Sequence, residues 1–286
     1  MTVYGGIESG GTKWRCAVGT GPGDIRAEAT IPTTTPDETI RRVADFFLQE
    51  GPVDAVGIGS FGPIDARTGS ATWGYITTTP KPGWSNTDVG QAVRRRLDVP
   101  VAFDTDVNAA AFGEHRWGAG RSVRSFWYVT VGSGIGGGAV VEGKLLHGLS
   151  HPEFGHLRVP HDREADPFAG SCPYHGDCLE GLASGTALEA RWGSPPSELD
   201  GNGAWELEAR YLALGFVAVV AVLSPERIIV GGGVGRRPGL LALVSRQMAA
   251  LMNGYFGLEP DFLTAPGLGS RAGVLGAIVL AETVSA

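Results

Sequence analysis

Gly132-Ser133-Gly134-Ile135-Gly136-Gly137-Gly138 stands between two apolar runs, residues 124–131 before it and 139–142 after it. Each run predicts a strand, so the glycines form the turn of a hairpin. The start of the chain repeats the figure. Residues 3–7 predict a strand, Glu8-Ser9-Gly10-Gly11-Thr12-Lys13 a glycine turn, and residues 14–19 a returning strand. Such a turn exposes backbone N–H groups with no side chains in the way, a concavity that suits phosphate. Taken alone, the first turn reads equally well as a plain glycine-rich β-turn, and Lys13 as a solvated lysine beside it. Two such turns, each opening a stretch of alternating strands and helices, predict two related α/β domains facing one another across a cleft. Nucleotide phosphates would lie between the turns.

The elements between and after the turns follow the same pattern. Ile40, Val43, Ala44 and Phe47 recur at helical spacing and predict a helix over residues 37–49. Residues 53–59 predict a strand that ends in Ser60-Phe61-Gly62-Pro63-Ile64-Asp65, at the strand end where ligands gather in α/β sheets. Residues 76–84 are irregular, 87–97 predict a helix and 99–103 a strand. Asp104-Thr105-Asp106-Val107-Asn108 follows at once, where a strand gives way to a helix. Asp106 there suits a helix cap or first-turn acid, or a general base for a hydroxyl at the mouth of the sheet. Later, helices are predicted over 184–192, 202–223 and 238–252, and short strands over 227–230 and 261–264. Gly231-Gly232-Gly233 follows the first of these strands, and bare backbone there lets a flat base or ribose lie close, whereas a tight turn needs one glycine. Small residues from Ser270 to Ala277 open a last helix that packs closely. Cys16, in an apolar strand, reads as a small core residue.

A second kind of signal lies in residues 152–181. Two of the three cysteines fall there, in Cys172-Pro173-Tyr174-His175-Gly176-Asp177-Cys178, with Pro152-Glu153-Phe154-Gly155-His156 upstream. Thiolate and imidazole are the ligands zinc prefers, and four of them close a tetrahedral structural site. Cys172, His175 and Cys178 reach one ion from a single loop, and His156 supplies the fourth ligand. The alternative is a Cys172–Cys178 disulfide, for which nothing else in the chain suggests an oxidising compartment. A closed zinc site would hold Glu153, His156 and Glu180 in place around a polar pocket. Glu8, ending the first strand, is placed to hold a hydrated magnesium ion, which prefers one or two carboxylates plus substrate phosphates.

Composition bounds the classes. The chain has 286 residues, 43% hydrophobic, and a net charge of −7, which argues against a nucleic-acid binder. No secretory leader is evident at the N-terminus, and the most apolar run, residues 212–223, is shorter than the ~20 residues a bilayer demands. The expected location is the cytoplasm, with no membrane partner.

These segments together resemble the sugar-kinase, Hsp70 and actin superfamily, in which the two glycine turns, the Asp106-Val107-Asn108 segment and the Gly231 triplet match the phosphate, connecting and adenosine segments in order. Glu153-Phe154-Gly155-His156 with the cysteine cluster looks like the zinc signature of the ROK family of sugar kinases and repressors. Within that family, residues 59–65, 79–84 and the Cys-x-x-His-x-x-Cys form are similar to bacterial fructokinases. The resemblance implies an α/β fold of two ribonuclease-H-like domains (actin/hexokinase superfamily) around a central cleft. The implied ranges are 1–116, with the C-terminal helix 271–286 packed back on it, and 117–270, which carries the zinc loop. The implied activity is transfer of the ATP γ-phosphoryl to the 6-hydroxyl of fructose, with ATP, Mg2+ and structural Zn2+.

By the same resemblance Asp106 is the general base, and Glu153, His156, Glu180, Asn108, Thr105 and Gly62 contact the sugar. Glu8, Gly10, Gly11, Thr12 and Lys13, with Gly132, Ser133, Gly134 and Gly136 and with Gly231, Gly232 and Gly233, bind ATP and magnesium. His156, Cys172, His175 and Cys178 match the zinc ligands, and the resemblance implies a homodimer. Three positions depart from the pattern. Glu8 replaces the usual aspartate. Thr105 replaces the asparagine of glucose-specific members, which fits a ketohexose better. His175 replaces a thiolate. Glucokinase, mannokinase or amino-sugar kinase activity are the alternatives. A sugar-sensing repressor and a zinc-stabilised interaction module without catalysis are more distant ones.

Overall fold

The computed structural model describes residues 2–199 and 201–285. Met1 and Ala286, the ends of the expected domain ranges, lie outside the described residues, as does Asp200. The chain forms two units: Met1–Arg121 with Gly143–His151 and Gly267–Ala286, and Ser122–Glu142 with Pro152–Pro266.

In the first unit, β1 (Tyr4–Ser9), β2 (Lys13–Gly21) and β3 (Asp24–Pro32) make an antiparallel meander. Then come α1 (Pro36–Glu50), β4 (Ala55–Ser60), three two-residue strands β5 (Ile64–Asp65), β6 (Tyr75–Ile76) and β7 (Thr87–Asp88), α2 (Gly90–Leu97), β8 (Val101–Thr105) and α3 (Asp106–Trp117). The main sheet has the order β3-β2-β1-β4-β8, with β4 parallel to β1 and β8 parallel to β4. Every residue of β4 and β8 is buried, the mark of parallel strands covered on both faces. Ile7, Val56, Ile58, Phe47, Trp14 and Trp84 fill the space between this sheet and α1 and α2. Strand β3 is not expected from the sequence, because Ile31 alone of its residues is buried and the strand carries little apolar signal. Thr87 and Asp88 pair with β6 rather than starting a helix, and Asp88 Oδ1 accepts the Gln91 N–H at 3.0 Å as α2 begins.

The chain's last helix, α8 (Ala272–Glu282), belongs to this unit and is buried from Ala272 to Ala281. Its glycines let it lie directly on α3: a Cβ on Gly276 would stand 1.6 Å from the Ala109 carbonyl oxygen. Fully burying Leu275 and Ile278 contributes on the order of 2 kcal/mol each.

In the second unit, β9 (Phe126–Val131) and β10 (Ile135–Val141) form an antiparallel hairpin. Short β11 (Lys144–Leu145) follows in the segment counted with the first unit. Next come α4 (Leu179–Ala183), α5 (Gly185–Trp192), α6 (Asn202–Leu223), β12 (Arg227–Gly231), α7 (Leu240–Met252) and β13 (Leu263–Thr264). Strand β12 lies parallel to β9, and β13 parallel to β12. Strand β10 starts at Ile135, inside the run of glycines. Gly136, Gly137 and Gly138 pair with Thr130, Val129 and Tyr128, so the turn proper is Gly132–Gly134. Glycine is needed within the strand because a Cβ on Gly137 would meet Phe154 Cβ at 2.7 Å.

The unit boundaries differ from the expected ranges for identifiable reasons. His147 hydrogen-bonds Asp104 at 2.8 Å and His151 accepts the Ile64 N–H at 3.1 Å, which ties residues 143–151 to the first unit rather than the second. Glu114, fully buried on α3, accepts the N–H groups of Ala119, Gly267 and Leu268 at 2.6, 2.9 and 2.9 Å. That carboxylate carries the first unit past Trp117 at one crossing and back to Gly267 at the other. Among the described residues, no helix is long and apolar enough to cross a membrane.

Candidate active site

At the first glycine turn, Gly10 N–H bonds the Lys13 carbonyl at 3.1 Å and Thr33 Oγ1 donates to the Gly10 carbonyl at 2.7 Å. Nothing lies within 4 Å of a Cβ placed on Gly11, so packing does not demand glycine there. Lys13 opens β2 and is exposed. Glu8 ends below the turn against the start of α8, where a Cβ on Gly273 would stand 2.5 Å from its Cδ. Burial raises its pKa, against the nearby charges of Arg15 and Lys13 and a hydrogen bond from the Val274 backbone. Its Oε2 is buried without a partner among the described residues. An acid with one engaged and one unsatisfied oxygen fits a hydrated cation.

Asp106 is the first residue of α3, but it is not the cap. Thr105 caps the helix, accepting the Asn108 N–H at 3.1 Å. Asp106 is half-buried and its Oδ1 accepts the Val107 N–H at 2.9 Å. Behind it, buried Asp104 gathers three donors: Thr105 N–H and Asn108 Nδ2 on Oδ1 and His147 Nε2 on Oδ2, each at 2.8 Å. Thr105 and Asn108 are both buried and serve this turn, although Asn108 Oδ1 has no partner among the described residues. Gly62 precedes Pro63 across a cis peptide bond, with His151 nearby.

In the second unit, Gly132 N–H bonds the Gly134 carbonyl at 2.9 Å, and Gly185 N–H bonds the Gly132 carbonyl at 2.7 Å. Glu180, on α4, accepts the Ile135 N–H on Oε2 at 2.9 Å, which leaves Oε1 for a ligand. Its Oε2 would lie 2.6 Å from a Cβ on Gly134, so a side chain there would push the Glu180 carboxylate aside. Gly231 is packed under Tyr128, and Gly232 has φ +85°; neither tolerates a side chain, whereas Gly233 faces open space. Two of the three glycines are therefore explained by the fold.

The zinc segment is built around Phe154, which stacks on Phe216 with centroids 6.1 Å apart. Buried Phe154 and Gly155 fix the short 3-10 turn Phe154–His156, while flanking Glu153 is exposed and His156 half-buried. The ligand atoms of His156, Cys172, His175 and Cys178 all lie within 4.8 Å of one another. His156 Nδ1 is 3.6 Å from Cys172 Sγ, 3.7 Å from Cys178 Sγ and 3.1 Å from His175 Nδ1. Zinc bonds of about 2.0–2.3 Å in a tetrahedron put ligand atoms about 3.3–3.8 Å apart. The sulfur–nitrogen distances fall in that range and the two imidazole nitrogens lie slightly closer, so the donor set is compatible with the ion. Both cysteines are free, which removes the disulfide alternative. Burial pushes the Cys178 thiol up to about 11, so a cation is what would draw the proton off. His156 turns Nδ1 to the cluster and so keeps Nε2 for another partner.

A profile of the ROK family matches residues 4–284. The chain belongs to the ROK family. A fructokinase of Zymomonas mobilis is 47% identical over 98% of this chain and 96% of its own. A ROK hexokinase of Thermus thermophilus superposes with a TM-score of 0.80 at 28% identity, covering 99% of this chain and 98% of the other. A ROK glucokinase of Streptomyces griseus, in complex with glucose and AMPPNP, gives a TM-score of 0.77 at 27% identity, covering 99% of both chains. The fold is therefore the α/β actin/hexokinase-like fold of the ROK sugar kinases.

Several polar residues of this ROK chain escape the motifs. Asp177, between His175 and Cys178, pairs with Arg158 at 2.9 Å and Arg163 at 2.6 Å and lies 3.2 Å from His161. The hydrogen bond with His161, helped by both arginines, lowers its pKa. Arg158 also donates to the His175 carbonyl at 2.7 Å, so the cluster has a charged brace behind it. Asp166 binds Tyr211 at 2.6 Å and Arg191 at 3.2 Å and joins the same loop to α5 and α6. The His147–Asp104 pair had no signal at all, since its members lie 43 positions apart.

Proposed function

We propose that the chain is an ATP-dependent fructokinase, forming fructose 6-phosphate from D-fructose. The observation that carries the substrate is the gradient of likeness: 47% identity to a fructokinase against 27% to a glucokinase of the same family. Family membership carries the reaction class.

In this reading Asp106 orients the 6-hydroxyl and takes its proton as the oxygen attacks the γ-phosphorus in line. The bond to the β,γ-bridging oxygen breaks, and ADP leaves. The brace of Asp104, Thr105 and Asn108 holds the turn that presents Asp106. Glu153, the Nε2 of His156, the free oxygen of Glu180 and the Gly62 backbone bind the sugar's hydroxyls. Gly10 to Lys13, Gly132 to Gly134 and Gly233 receive the nucleotide, and Gly136, inside β10, supports the second turn. Glu8 would hold magnesium, whose charge would neutralise the transferring phosphoryl group. His156, Cys172, His175 and Cys178 would hold zinc, a structural ion that locks the loop on which His156 stands. A cytoplasmic homodimer completes the reading and rests on resemblance alone.

The test is a side-by-side assay of fructose, glucose, mannose and N-acetylmannosamine with ATP and magnesium, with the position of the phosphate read by NMR. Fructose should give the highest kcat/KM and a 6-phosphate. A higher value for any aldohexose would overturn the substrate, and no transfer to any sugar would overturn the reaction.

A further inference from the structure

The second unit contains a cavity of about 830 Å³ whose walls include Gly132, Ser133, Thr186, Gly233, Trp205 and Arg237. Its floor is fixed by backbone. Val234 and Gly235 N–H groups bond the Val131 carbonyl at 2.9 and 3.0 Å, and Thr186 Oγ1 bonds the Ser133 carbonyl at 2.8 Å. Nothing lies within 4 Å of a Cβ on Gly132 or Gly233. Bare backbone at those two places keeps the cavity open where the fold itself would accept a side chain.

The other wall is a cation on an aromatic ring. The Arg237 guanidinium lies 4.0 Å from the Trp205 ring centroid. The indole is held from behind, because its Nε1 donates to the Leu199 carbonyl at 3.1 Å. Trp205 is only 2% exposed, so a molecule entering the cavity meets the guanidinium before the ring. A planar cation lying over an aromatic ring on one side can offer its other side to a flat π-system.

We propose that Arg237, backed by Trp205, is the stacking plate for the nucleobase of the phosphoryl donor and acts on the base rather than on the phosphates. This rests on the kinase reading above only for the identity of the ligand. Stacking is tolerant of base identity, because every base presents a π-face. The plate therefore favours nucleotide over bare polyphosphate without choosing strongly between ATP and GTP.

Titration calorimetry on the full chain tests it, with AMPPNP, GMPPNP and inorganic tripolyphosphate as separate probes. Arg237→Ala should weaken both nucleotides about tenfold, the scale of one lost stacking contact, and leave tripolyphosphate unchanged. Arg237→Lys should resemble Arg237→Ala, since it keeps the charge and loses the plane. Arg237 is half-exposed, and an unchanged melting temperature checks that the variants fold. Equal weakening of tripolyphosphate would make Arg237 a phosphate cation and overturn the plate, as would nucleotide affinities that do not move. Because binding is read without turnover, failure of the fructokinase reading leaves this result interpretable, and absence of AMPPNP binding to the unaltered chain would overturn the plate itself.

Discussion

The two units start alike and support their turns differently. β1 and β2 correspond in topology to β9 and β10, and each unit has a strand parallel to the first strand beside it. Beneath the first turn is Glu8, from the strand itself, with Oε2 buried and without a partner among the described residues. At the second turn the carboxylate comes from elsewhere: Glu180, from α4, with Oε2 given to the Ile135 N–H. One backbone device thus carries an acid from two sources, one whose buried oxygen has no partner among the described residues and one whose inner oxygen holds the returning strand. In the proposed reading the first unit supplies Glu8 and Asp106 to the chemistry while Asp104 and Glu114 brace it. In the second, Asp177 and Asp166 brace the loop while Glu180 holds the Ile135 N–H with one oxygen and faces the sugar with the other.

The largest expected effect tests the chemical side. Asp106→Asn should lower kcat roughly 100-fold or more while melting temperature and zinc content stay the same. Since Thr105 is the cap, a variant with a collapsed melting temperature and normal specific activity would assign Asp106 to structure instead. Next comes the bracing side. Removing zinc with a chelator should raise KM for fructose several-fold and open residues 172–178 to protease, and unchanged KM in metal-free protein would separate the loop from the sugar.

A paired exchange then sharpens the contrast between the two acids. Glu8→Gln should raise the magnesium needed for half-maximal activity by about tenfold, yet leave stability equal or higher, because a buried charge is removed. Glu180→Gln should cost about 1 kcal/mol of stability and leave the magnesium requirement alone. If both variants behaved alike, the distinction would fail. The smallest effect concerns His147, whose pKa Asp104 raises above its ordinary value near 6.5. The stabilisation is complete below about pH 6.5 and lost as pH rises through the raised value. Melting curves of His147→Ala should therefore show a smaller decline with rising pH than those of the unaltered chain. With 43% of the His147 side chain exposed, the difference should be under about 1 kcal/mol.

The sequence made the two glycine turns and the cysteine–histidine loop visible because their chemistry is local. Cys172, His175 and Cys178 fall within one loop, and few other roles call for that set of side chains. Apolar periodicity marked α1, and α6 matches its expected range of 202–223. What stayed hidden depends on residues far apart. Strand β3 alternates with too little apolar weight to stand out. The start of β10 is masked by glycines whose need becomes clear only once Phe154 lies against them. The pairings of His147 with Asp104 and of Arg237 with Trp205 exist only after folding, as side chains from separate elements meet.

Glu114 has a consequence of its own. Two of the covalent links between units follow Arg121 and precede Gly267, and the same carboxylate moors the backbone just before the one and just after the other. The two departing threads therefore share a single knot. Untying it by Glu114→Ala would slacken both together, and limited proteolysis should find cuts near residues 118–121 and 266–268 appearing in step.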